Sequence, residues 1–400
     1  MARRRKKAQA ATILIVLLLI VAIVAGACYY WFIYLGKTWA DFEREILHIE
    51  RIEPNNPDQP DKPDNPNNPD NPDQPPVVTE GELTIRFLEL GNKYTGDCTL
   101  IKAGDVEVLI DAGSKRDSAK ALVPTIREYC TDGVIEYVIA THAHEDHIAA
   151  FVGNATYPGI FDSFECKTII DYARTNSTSK ISRDYAEKRD TEVEAGAVHY
   201  TALECWNGEN GAQRTYEIAD GITFSILYNY YYEHRASSEN DYSVCTLFTQ
   251  GTYHYLFTGD LEAKGEEYLV KYNDLPQCKL YKGGHHGSRT SSTDTLLRVI
   301  RPEVVCICCC TGSPEYSQSQ VGTFPTQDTI DRLSVYTDKI YATSLATNVD
   351  LKAQTWDYTS LNGTITCRSD GNYFVVEGSN HSIILKETPW FQANRTWNGK

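Results

Sequence analysis

The chain is short of positive charge. Its 38 lysines and arginines stand against 54 aspartates and glutamates, for a formal net charge of -16. That balance excludes broad electrostatic attraction to nucleic acid or to anionic membranes. An anionic substrate must therefore be met by local positive charge, most simply by metal ions. Histidine is scarce too, at 10 in 400 residues.

Charge is missing altogether from Ala11 to about Leu35. The run is long enough for a tilted helical span, which needs about 20 residues. Arg3, Arg4, Arg5, Lys6 and Lys7 precede it, and the positive-inside rule holds that cluster in the cytoplasm. The reading is a single-pass signal-anchor in the cell membrane, with everything after Lys37 extracellular. A cleavable signal peptide is the competing reading, with an apolar core of roughly 7–15 residues. The run continues past Cys28 into Tyr29, Tyr30, Trp31 and Tyr34, an interfacial belt that favours the uncleaved anchor.

The expected organisation follows from composition. Residues 1–10 are a basic cytoplasmic segment, 11–35 the span, and 36–53 a juxtamembrane helix. Residues 54–79 form a Pro/Asn/Asp-rich linker, whose prolines forbid helix and ladder and whose acids repel. Residues 80–378 are the folded domain, and 379–400 a C-terminal extension.

Twelve cysteines suggest disulfides in an exported protein. However, Cys306, Cys308, Cys309 and Cys310 lie in the strand-like run VVCICCC, where neighbours point to opposite faces. They read as small hydrophobes of a core rather than one metal-thiolate site. Pairings among Cys98, Cys130, Cys166 and Cys205 stay open.

In the folded domain LTIRFLEL and VEVLIDAG read as strands joined by a KAGD turn, and SAKALVPTIREYC as a helix. IEYVIATHAH, ITFSILYNYYY, SVCTLFTQGTYHYLFTGDL and CKLYKGGHHGS read as hydrophobic strands with polar tips. Two strand-rich halves with interposed helices predict stacked sheets covered by helices, an α/β layered fold.

The densest chemistry is THAHEDHIAA, residues 141–150. His142 and His144, two apart after an apolar run, project to the same side of an extended segment. Asp146 and His147 reach the same space from the next turn. Neutral imidazoles with a carboxylate suit zinc, manganese or iron.

With LGNKYTGDCTLI, VLIDAG, SENDYSVCTLF, YLFTGDLE and KGGHHGSRTSS following the order of a known pattern, the chain resembles the metallo-β-lactamase-fold hydrolases, whose signature is H-x-H-x-D-H. It looks most similar to the hydrolase domain of the ComEC family of DNA-uptake proteins and its free-standing relatives, over roughly residues 82–376. The resemblance implies an αββα sandwich with one or two Zn²⁺ or Mn²⁺ ions where strands end. It implies that His142 and His144 bind a first metal, that Asp146 and His147 serve a second, and that Asp260 bridges them. Either His285 or His286 completes the second site. Asp97 and Asp111 match positions that orient ligand histidines. Asn240 and Ser243 are read as shaping the adjacent loop or simply forming a turn. The other histidine of HHGS, with Ser288, Arg289, Ser291 and Ser292, is expected near the substrate.

The chain also departs from the family pattern. The further metal-binding histidine common in the superfamily has no counterpart, since His199, His234 and His254 sit in unrelated contexts. DHIAA replaces DHIGG, placing Ala149 and Ala150 where the backbone is normally tight. Phe324 stands where relatives place a histidine before proline. A multi-span transport channel is absent, so DNA import by this chain alone is not expected.

The expected function is a membrane-anchored extracellular metal-dependent hydrolase, phosphodiesterase or nuclease-like. A metal-bound hydroxide would attack, with Asp146 and Asp260 as catalytic carboxylates. Its partners would be a small phosphoester or nucleic acid and the membrane, with no obligate protein partner evident. The alternatives are a lactamase or lactonase, or a metal-binding surface module without turnover.

Overall fold

The computed structural model describes residues 82–399. The expected basic segment, span, juxtamembrane helix and linker, residues 1–79, lie outside them. Among the described residues no helix is long and apolar enough to cross a membrane.

Two eight-stranded sheets make up the domain. The chain enters the first through β1 (Leu83–Phe87), β2 (Thr99–Ala103), β3 (Val106–Ile110), β4 (Val134–Ala140), β5 (Glu165–Asp171) and β6 (Val198–Thr201). It then builds the second from β7 (Thr215–Ala219), β8 (Ile222–Ile226), β9 (Thr246–Gln250) and β10 (Tyr253–Phe257). That sheet is completed by β11 (Leu280–Lys282), β12 (Val304–Thr311), β13 (Ile340–Asp350) and β14 (Thr355–Ser360). Finally β15 (Ile365–Ser369) and β16 (Phe374–Gly378) return to the first sheet beside β1. Each sheet has a run of four parallel strands, β3 to β6 at one end of the first and β10 to β13 in the second.

The sheets face each other through large rings. Phe87 of β1 lies 6.1 Å from Phe257 of β10, and Tyr137 of β4 lies 5.1 Å from Phe224 of β8. On β12 the alternation is plain. Val304, Cys306 and Cys308 enter this inter-sheet core, while Val305, Ile307 and Cys309 face a second cluster. A parallel strand buried on both sides reads as a continuous apolar run, which is the form VVCICCC takes. Every cysteine among the described residues is a buried free thiol, so none of the open pairings forms.

Helices cover the outer faces. From α1 (Ala119–Tyr129) and α2 (Glu145–Val152), Leu122, Ile126, Ile148 and Phe151 join the core of the first sheet. Between α2 and the second half of the chain come α3 (Ile160–Ser163), α4 (Lys180–Ala195) and α5 (Ala202–Asn207). The second sheet is capped by Leu269 of α6 (Ala263–Tyr272), Leu297 of α7 (Asp294–Ile300) and Ile330 of α8 (Gln327–Leu333). This is the helix–sheet–sheet–helix layering expected. The C-terminal residues pack on the same cluster. Phe391 of α9 (Pro389–Asn394) is buried there, and the Arg395 guanidinium donates to the Pro325 carbonyl at 2.9 Å.

Three local readings change. The KAGD turn joins β3 to β2, not to β1, because TLIKA forms a strand of its own. β1 stops at Phe87, short of LEL. The strand in ITFSILYNYYY stops at Ile226, and Tyr230–Tyr232 form a 3-10 turn begun by Asn229, whose side chain accepts from the Tyr231 N–H.

Candidate metal centre

Loops after the parallel strands of both sheets meet at one point. Thr141 to His147 follow β4, Asp111 follows β3, Asp260 follows β10, and His285 with His286 follow β11. This places polar side chains from distant parts of the sequence at neighbouring strand ends.

Two glycines allow the close approach. A Cβ on Gly113 would lie 1.5 Å from the Asp146 carbonyl oxygen, so only glycine lets the 111–114 loop rest on the start of α2. Gly259 has φ +53, and a Cβ there would lie 2.8 Å from the Ser243 hydroxyl that receives the Asp260 N–H at 3.0 Å. The tightness expected at Ala149 and Ala150 lies at Gly113 instead. Both alanines are fully buried inside α2, and the Ala150 N–H donates to the Ala112 carbonyl at 2.7 Å.

Four of the five histidine rings, those of His142, His147, His285 and His286, are oriented through Nδ1. His147 Nδ1 lies 2.8 Å from Asp111 Oδ2, and His286 Nδ1 lies 2.9 Å from the Cys308 carbonyl. His142 Nδ1 lies 3.1 Å from Thr141 Oγ1, which in turn donates to Asp111 at 2.8 Å. His285 Nδ1 lies 2.9 Å from Thr290 Oγ1. The other nitrogens converge. His147 Nε2 is 3.3 Å from His286 Nε2 and 3.2 Å from Asp260 Oδ2. His286 Nε2 is 3.3 Å from that same oxygen and 3.5 Å from Asp146 Oδ2. His142 Nε2 faces His144 Nδ1 at 3.0 Å, and His285 Nε2 lies 3.7 Å from Asp260 Oδ2.

These spacings fit a metal. Ligands about 2.0–2.1 Å from a tetrahedral ion stand about 3.3 Å apart. The donor set is nitrogen and carboxylate oxygen, and Asp260 Oδ1 is buried without a hydrogen-bond partner. Asp97 belongs to the same buried group. Its oxygens, however, meet the Lys282 ammonium and, at 3.2 Å, His286 Nδ1, the nitrogen turned away from the convergence point. It faces the far side of the His286 ring, where it can orient that histidine.

Charge follows from this packing. Burial alone would lower the His147 and His286 pKa values, yet Asp260 with Asp111 or Asp97 holds both well above the imidazole range. Burial and the charge of His147 push His142 well below it. Burial opposes ionisation of Asp146 and Asp260, and the neighbouring histidines outweigh it, so both pKa values fall. Asp111 is raised by burial.

The backbone of HHGS is strained. His285 (φ 47) and His286 (φ 53) are both left-handed, a conformation costing about 1–3 kcal/mol per residue. The Cys308 contact and the Gly284 N–H to Ser292 Oγ bond, 3.2 Å, hold them.

Other expected residues have different positions. The Ser291 hydroxyl points inward to the Leu261 carbonyl at 2.6 Å, and Ser292 lies 3.2 Å from the Tyr281 hydroxyl, so neither faces a substrate. Ser288 bonds within its loop to Thr290 at 3.1 Å, and Arg289 is exposed, with no ion pair to another described residue. Asn240 Nδ2 donates to Glu262 at 3.1 Å and lies 3.5 Å from His285 Nε2, while Ser243 supports Asp260. His199 pairs with Asp171, His234 stacks on Tyr230 and His254 meets Thr249, all outside the cluster.

Two residues were missed. Lys282 is fully buried, paired with Asp97 and 3.7 Å from Asp260 Oδ1, and these carboxylates hold its pKa above the usual range against burial. Its place directly before GGHHGS was the available signal. The Tyr316 hydroxyl donates to Asp146 Oδ2 at 2.8 Å, from a loop with no motif of its own.

Comparison with known proteins agrees with this fold. Residues 91–153 match the Metallo-beta-lactamase superfamily. Recombination protein 2 of Haemophilus influenzae is 27% identical over 256 residues, 64% of this chain and 27% of that protein. Competence protein ComA of Neisseria gonorrhoeae is 26% identical over 231 residues, 56% of this chain and 27% of that protein. The chain thus spans about a quarter of the length of these relatives. The metallo-β-lactamase fold protein YhfI from Bacillus subtilis, 10% identical, aligns over 66% of this chain and 96% of its own, with a TM-score of 0.38.

Proposed function

We propose that this chain, which resembles metallo-β-lactamase-fold proteins of the ComEC type, is a metal-dependent phosphodiesterase held outside the cell membrane by residues 11–35. The observation that carries the metal-dependent reading is the convergence of His147 Nε2, His286 Nε2 and Asp260 Oδ2 at 3.2–3.3 Å, with Asp146 Oδ2 3.5 Å from His286 Nε2. The names of the relatives, attached to recombination and competence, support a phosphodiester substrate.

Those four residues would hold one Zn²⁺ or Mn²⁺, and His142 with His144 a second beside Asp260. Such ions supply Lewis acidity and lower the pKa of bound water toward about 7. The protein's own groups do the rest. Asp111 and Thr141 fix the tautomers of His147 and His142, leaving their Nε2 atoms as donors. Asp97 and the Cys308 carbonyl do the same for His286. Lys282 stands on the Oδ1 side of Asp260, so that Oδ2 is the oxygen presented to the histidines. On this reading Asp146, only partly covered, would accept a proton from the nucleophile.

The test is turnover of bis(p-nitrophenyl) phosphate by the full chain in detergent micelles with Zn²⁺ or Mn²⁺. The His142→Ala/His144→Ala double variant is expected to lose activity by 100-fold or more, on the order of a catalytic group's contribution. Unchanged turnover in that variant overturns the assignment. Cleavage of a β-lactam without any phosphodiester cleavage would move it to the lactamase class.

A further inference from the structure

We propose that Tyr316 and Phe324 form a stacking subsite for a planar ring on the substrate, a nucleobase next to the scissile phosphodiester. The inference rests on the phosphoester reading and names the substrate class it leaves open.

The segment leading into Tyr316 is fastened at two points. The Thr95 N–H donates to Glu315 Oε2 at 2.8 Å, and Gln354 Nε2 donates to the Pro314 carbonyl at 2.9 Å. Directly after these anchors the Tyr316 hydroxyl donates to Asp146 Oδ2 at 2.8 Å. Its ring lies on Phe324, 5.3 Å between centroids and 24° between planes. Phe324 in turn lies 6.5 Å from the His286 ring at 25°. Three rings thus step outward from a metal-site histidine, roughly parallel.

Tyr316 is the last ring, and it is 51% exposed. One face is covered by Phe324, so the open surface includes the other face. A tyrosine tethered at its hydroxyl and supported from behind is a rigid platform, which loses little entropy when a second ring settles on it. At a formal charge of -16, the chain gains nothing from the non-specific attraction that most nucleic-acid binders use. Affinity for a nucleotide must come from the metal at the phosphate and from ring contact beside it.

The test is equilibrium binding to the Zn²⁺-loaded full chain of three probes: thymidine 5′-monophosphate, deoxyribose 5-phosphate and inorganic phosphate. Wild type is expected to bind the nucleotide roughly tenfold more tightly than the sugar phosphate, in the range stacking supplies. Tyr316→Phe keeps the ring and should keep that preference. Tyr316→Leu should lose it while binding inorganic phosphate within about twofold of Tyr316→Phe, which lacks the same hydroxyl. Equal binding of nucleotide and sugar phosphate by wild type, or a preference that survives Tyr316→Leu, overturns the subsite and leaves the phosphoester reading standing. If none of the three probes binds, both fall.

Discussion

His147 and His286 are 139 residues apart, and their Nε2 atoms lie 3.3 Å from each other. One follows β4 of the first sheet and the other β11 of the second, so the distance is fixed by how the two sheets pack. Each ring is turned by a hydrogen bond at its far nitrogen, to Asp111 or to the Cys308 carbonyl. The site is therefore a property of the whole sandwich.

Lys282 is the buried countercharge of this site. Replacing it with methionine removes the buried ammonium facing Asp97 and Asp260 and leaves them only the histidines. Removing one partner of a buried pair costs about 3–5 kcal/mol. Lys282→Met is expected to lower the denaturant midpoint of the metal-free protein by a corresponding amount. Added Zn²⁺ should recover part of the loss, because the ion replaces the missing charge. A midpoint equal to wild type would show that the ammonium carries no such role.

Gly113→Ala places a methyl group 1.5 Å from the Asp146 carbonyl oxygen, and backbone cannot yield as a side chain can. The expected cost is at least about 3 kcal/mol, with loss of metal binding as α2 shifts. Gly104→Ala serves as the control, since it has positive φ (+59) but a Cβ there meets nothing within 4 Å. It should cost only about 1 kcal/mol. Comparable thermal melts for the two variants would contradict the close approach.

His254 gives a pH dependence away from the metal centre. Burial lowers its pKa to about 4, against about 6.5 in the unfolded chain. Between those values the unfolded state binds the extra proton, so stability rises with pH through the window and is lost as pH falls from about 6.5 to about 4. His254→Gln removes the titration. The stability difference between about pH 7.5 and about pH 5 should shrink by roughly 2 kcal/mol in denaturant unfolding. An unchanged difference would place the pH dependence elsewhere.

The sequence made some of this legible. Three histidines and an aspartate within THAHEDH announce a ligand cluster because nothing else calls for that density. VVCICCC showed a doubly buried strand because every position is apolar. What the sequence hid depended on contacts across the fold. Lys282 looks like an ordinary charge in YKGG, and only the approach of Asp97 from β1–β2 gives it a partner. Ser291 looked available because loop serines usually are, but its hydroxyl is claimed by Leu261. TLIKA was overlooked as a strand because five residues between turns carry little periodicity. Tyr316 sits in GSPEYSQSQ, where no spacing marks it, and its role comes from the distance to Asp146.

The most direct measurement is the metal content of the purified full chain, wild type beside Asp260→Asn. The geometry predicts at least one firmly held Zn²⁺ or Mn²⁺ per wild-type chain after dialysis, and a lower content in Asp260→Asn, whose amide cannot carry the charge of the shared oxygen. A wild-type chain that retains no divalent ion, or a variant that retains the wild-type amount, contradicts the account.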